Sequence, residues 1–72
     1  MIMYRFLVVT ERTKTGYSAY IPDLPGCIAT GKTHDIVAKN IHEAIDFHIQ
    51  GMLEDGLEIP KNVTFADYMV VA

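Results

Sequence analysis

The chain has 72 residues, half of them hydrophobic and 21% charged, which allows one domain (residues 1–72), excludes disorder, and makes self-association an expected source of stability. Net charge is −3, and the six Lys and Arg are spread along the sequence at Arg5, Arg12, Lys14, Lys32, Lys39 and Lys61, which argues against direct nucleic-acid binding. Cys27 alone gives no disulfide framework, Met1 to Val9 lacks a cleavage pattern, and no run approaches the ~20 apolar residues of a membrane span, so a soluble cytoplasmic protein is expected.

Ile2 to Thr10 is rich in β-branched and aromatic residues and reads as a central strand. Both of its alternating sets are largely apolar, which predicts a helix on one face and another subunit on the other. Glu11 to Gly16 is polar and ends in glycine, a hairpin loop that pairs the first strand antiparallel with Tyr17 to Ile21. Pro22-Asp23-Leu24-Pro25-Gly26 extends neither neighbouring strand and predicts a rigid reversal into a third strand, Cys27 to Thr30. Gly31-Lys32 then breaks the strand, and Thr33 stands as N-cap of a helix with Asp35 in its first turn.

From His34 to about Asp55 the positions Val37, Ile41, Ala44, Ile45, His48, Ile49 and Met52 recur at three and four, forming one apolar stripe that should face the sheet. Gly56 and Pro60 mark the stop. A last strand is expected near Asp67 to Val71, with a helical turn over Thr64 to Asp67 as the competing reading. A right-handed crossover through the helix would return that strand parallel to the first. The result is an α+β domain, β-β-β-α-β, with sheet order 3-2-1-4 and one helix packed on one face.

The order Tyr17, Ala19, Tyr20, then Pro22-Asp23-Leu24-Pro25-Gly26-Cys27, Gly31-Lys32-Thr33, Ala38, Asn40, Ile41, Glu43, Ala44, Ile45, and finally Gly56 and Ile59-Pro60, resembles the HicB-like antitoxin family over most of the chain. The resemblance implies a partial RNase H-like fold. It also implies binding and neutralisation of a HicA-like toxin, a small basic RNase that cleaves messenger RNA. Family members often add a C-terminal DNA-binding domain, which these 72 residues are expected to lack. One departure from the family pattern is Ile36, which stands where a Glu would complete a capping box with Thr33.

An RNase H-like outline raises the question of nuclease chemistry, which needs carboxylates converging on two metals. The first strand has no Asp or Glu, Glu11 and Asp23 fall in loops, and Glu43 and Asp46 fall on the outer side of the helix. His34, His42 and His48 are spaced eight and six, not the three or four that places two ligands on one helical face. His48 falls inside the apolar stripe and reads as a core or interface histidine; Cys27 has no nearby basic activator and reads as a small buried hydrophobe. Neither catalysis nor a metal or cofactor is expected.

Ile36 and Phe47, eleven apart, share a face away from the main stripe, and either cover the rim of the core or form a partner contact. Asp23, Glu43, Asp46 and Glu54 are the candidates for meeting partner cations, with Phe47 as an apolar anchor. An acidic module suits a basic partner electrostatically. The expected partners are therefore a HicA-like toxin and further copies of the chain, as dimer or tetramer. The other reading is an orphan homo-oligomeric or small-ligand-binding module with no toxin partner.

Overall fold

A computed structural model describes residues 3–72. Three strands, β1 (Val9–Arg12), β2 (Tyr17–Tyr20) and β3 (Ile28–Gly31), precede one helix, α1 (His34–Glu54). The sheet is antiparallel in the order β1-β2-β3, with Val9 opposite Tyr20 and Tyr20 opposite Ile28. The helix packs on β3 and β2 and does not reach β1.

The reversal between β2 and β3 is built from two successive turns. Leu24 N–H donates to Ile21 O across Pro22-Asp23, and Cys27 N–H donates to Leu24 O across Pro25-Gly26. Gly26 has φ +84°, the left-handed position that a type II turn places after its proline. Ile21 N–H donates to Cys27 O and closes the base of the loop. This loop belongs to the core, since Ile21, Leu24 and Cys27 are buried together with Ala19, Val37 and Ile41. Burial also pushes the Cys27 thiol above its ordinary pKa, in keeping with a packing role.

Thr33 caps α1 as expected, its extended backbone letting Oγ1 accept from Ile36 N–H at 3.1 Å. At the other end Gly56, at φ +70°, donates to Leu53 O while Leu57 N–H donates to Met52 O, the paired bonds of a Schellman stop. The apolar stripe points inward as read, with Val37, Ile41 and Ile49 buried and His48 half-buried beside them.

Three expectations are corrected. Glu11, expected in the hairpin loop, lies with Arg12 in β1. The first strand is short: Ile2 lies outside the described residues, and residues 3–8 carry no strand before β1 begins at Val9. Continuing the β1–β2 register would set Leu7 opposite Pro22, which has no N–H to give, so that side of the ladder ends. Nor is there a fourth strand near Asp67 to Val71 in the single chain, so the order 3-2-1-4 is seen only as its 3-2-1 part. Tyr68 to Val71 stand exposed and meet no strand partner among the described residues.

Candidate partner-binding surface

Three features of the fold present surface to a partner. The first is a ridge along the outside of α1. At about 100° per residue, Ile36, Glu43, Phe47 and Glu54 fall within about 20° of one line. All four are exposed, Phe47 by 81%. The ridge lies away from the buried stripe, with Ile36 46% and Phe47 81% exposed. Asp46 sits off this line, paired with His42 across one turn at 3.5 Å.

The second feature is the open face of the sheet. Side chains alternate along a strand, so Ala19 and Ala29 face the helix while Val9, Tyr20 and Ile28 form a row across the other face. Tyr20 is 40% and Ile28 69% exposed. No helix covers this row. It went unread in the sequence because its apolar members come from three separate segments, and only the pairing register brings them side by side.

The third is the strip formed by residues 3–8 and the C-terminal segment. Asp23 is engaged here. Its carboxylate accepts from the N–H groups of Val63 (3.0 Å) and Thr64 (3.1 Å) and from Thr64 Oγ1 (3.0 Å). Asn62 Oδ1 accepts from Leu7 N–H at 3.1 Å, which holds the same segment against residues 3–8. Of the five acid and aromatic candidates, then, the fold brings Glu43, Phe47 and Glu54 onto one ridge, sets Asp46 on its flank, and gives Asp23 to the tail.

The basic residues are less dispersed than their spacing implies. Arg12, Lys14 and Lys32 line one shallow groove beside the start of the helix, with His34. Tyr17 lies in the same groove, its ring meeting His34 edge-on at 5.9 Å and Arg12 over its face at 5.9 Å. Among the described residues no three His, Cys, Asp or Glu side chains are grouped so as to hold a metal ion. No described helix is long and apolar enough to cross a membrane.

Comparison with known proteins agrees with this architecture. The chain is similar to an uncharacterised 14.9 kDa protein from the rep-hol intergenic region of Haemophilus phage HP1, 42% identical over 62 residues. That match covers 86% of this chain and 47% of the phage protein, so the chain spans about half of its relative's length. It is also similar to a UPF0150 protein of Helicobacter pylori, 37% identical over 49 residues, or 68% of each chain. Among solved structures, a chain of a HicA3 and HicB3 toxin-antitoxin complex superposes with a TM-score of 0.62 at 30% identity, over 75% of this chain and 66% of that one. The family description that matches residues 4–71 is the HicB-like antitoxin of bacterial toxin-antitoxin systems, and the chain therefore belongs to the HicB-like antitoxin family.

Proposed function

We propose that this chain is an antitoxin module that binds a small basic, mRNA-cleaving HicA-like toxin in the cytoplasm and neutralises it by masking, without catalysis. The observation that carries the reading is the ridge of α1. An aromatic side chain that is 81% exposed has Glu43 and Glu54 along the same line and belongs to a rigid, capped helix. Aromatic anchors surrounded by charge suit a protein interface, because the ring supplies buried area while the carboxylates steer a cationic partner. The net charge of −3 adds long-range attraction for a basic protein. The similarity to a chain of a toxin-antitoxin complex supports the same partner class.

In this reading Phe47 is the anchor, Glu43 and Glu54 meet toxin cations, and Asp46 contributes from the flank. The module works as a homo-oligomer, since its small core is supplemented by apolar surface that one chain leaves open. The domain is a truncated RNase H-like sheet whose place beside β1 is unfilled among the described residues.

Co-expression tests it. The wild-type chain should relieve the growth arrest caused by a HicA-like toxin and co-purify with it. Phe47→Asp should weaken capture by about tenfold or more, as expected for an interface anchor, with the circular dichroism spectrum and the native mass of the free chain unchanged. If the wild type neither relieves arrest nor forms a complex, the masking role fails and an orphan oligomeric or small-ligand-binding module becomes the reading. A loss of native mass in Phe47→Asp would instead assign the ridge to self-association.

A further inference from the structure

The C-terminal segment leaves the domain at a fixed point, held by Asp23 and Asn62, and then runs on largely exposed. Phe65, Tyr68, Met69, Val70 and Val71 are each 83% exposed or more. Burial of such side chains is what normally holds an extended segment in place. The projection is visible in the overall dimensions: the radius of gyration is 13.8 Å and the longest extent 47 Å, where a compact chain of this length would have a radius near about 11 Å.

Residues 3–8 are the complementary deficit. Met3 is 85%, Tyr4 42% and Val8 38% exposed. Two open grooves flank this strip. One, of about 290 Å³, runs between Arg5–Val8 and residues 62–67. The other, of about 470 Å³, has Tyr4, Phe6 and Val8 on one side and Ile45 and Ile49 of α1 on the other. A strand laid along residues 3–8 would cover the part of the helix that β1 does not reach.

Charge gives the occupant. Arg5 is the sole charged residue in 3–8, and Asp67 the sole one in 63–72. Both line the smaller groove, yet among the described residues no ion pair joins Arg5 to Asp67. Residues 62–67 of the same chain line that groove beside Arg5–Val8 without forming a strand pair, and Tyr68 to Val71 run on exposed.

We propose that two copies of this chain exchange their C-terminal segments, residues 65–71 of each lying as a strand along residues 3–8 of the other with Asp67 facing Arg5. Tyr68 and Val70 then alternate toward the groove above Ile45 and Ile49, while Phe65, Met69 and Val71 share the opposite face with Asp67. This deepens the oligomeric part of the reading above and does not depend on the toxin.

Sedimentation velocity on three samples of the full chain tests the exchange. The wild type should run as a dimer or a multiple of it. Arg5→Glu and Asp67→Arg should each dissociate about tenfold more readily, because each self-pairing sets like charges together. Mixing the two variants in equal amounts should restore the dimer, since both exchanged contacts regain opposite charges. A monomeric wild type overturns the proposal, and so does a mixture that remains dissociated, which is what closure within one chain predicts. Val70→Asp alters a side chain that touches nothing in the monomer, so its folding is not at risk; an unaltered oligomer in that variant would also overturn the exchange. Toxin capture measured on the same samples separates the two readings: a dimer that captures no toxin removes masking alone, and a monomer that captures it removes exchange alone.

Discussion

At the scale of single residues, the fold shows how much depends on side chains that bond to backbone. Thr33 satisfies one orphan N–H of α1, and Ile36 offers no reciprocal acceptor, so the cap rests on one hydroxyl. Thr33→Ala should lower stability by roughly 1 kcal/mol, read as a shift in the urea midpoint with an unchanged slope; an unmoved midpoint would show the cap to be energetically silent. Asn40 has a related part. Its Nδ2 donates to Thr30 O at 2.8 Å, tying the helix to the outer strand and covering a carbonyl that a free sheet edge would expose. Gly31 allows this approach, because a Cβ there would stand 2.6 Å from Val37 N.

At the scale of elements, the loop between β2 and β3 holds more of the core than either strand. β2 contributes Ala19 to the fully buried set, while the loop and its two flanks contribute Ile21, Leu24 and Cys27. The two prolines explain how a loop can do this. They restrict the unfolded chain, and the turns they favour satisfy the backbone groups that burial would otherwise leave unpaired. Leu24, 1% exposed, fills the space between the loop and α1. Leu24→Ala should cost about 2–5 kcal/mol, as for other buried leucines. In a 72-residue domain that is enough to make the protein largely unfolded at room temperature, and circular dichroism with thermal melting would show it. A loss below about 1 kcal/mol would mean the loop relaxes into the cavity.

At the scale of the whole molecule, Asp23 links parts of the chain that no local rule connects, reaching 40 and 41 residues ahead to Val63 and Thr64. It sets where the tail departs. Asp23→Ala should free that departure, with faster amide exchange at Val63 and Thr64 and a stability loss of about 1–2 kcal/mol, the lower range for bonds to a charged acceptor at a partly solvated site. Unchanged exchange at these two amides would show that the tail is held by Asn62 alone.

What the sequence determined by itself is the set of features governed by neighbours along the chain. The hairpin, the Pro-Asp-Leu-Pro-Gly reversal, the Thr33 cap, the inward stripe of α1 and the Gly56 stop all follow from φ/ψ preference and periodicity within a few residues. The family resemblance was legible in part for the same reason, since its motif residues include those turns and caps beside strand and helix positions. Only the tertiary structure decided the rest. Asp23 looked like any loop carboxylate until the tail closed on it, and Val9, Tyr20 and Ile28 became one surface only through strand register. The stretch from Asp67 to Val71 reads locally as a strand, beside the competing reading of a helical turn over Thr64 to Asp67. A strand, however, is completed by hydrogen bonds to another segment, and propensity cannot say whether that segment lies in the same chain, so its pairing was beyond any reading of one sequence.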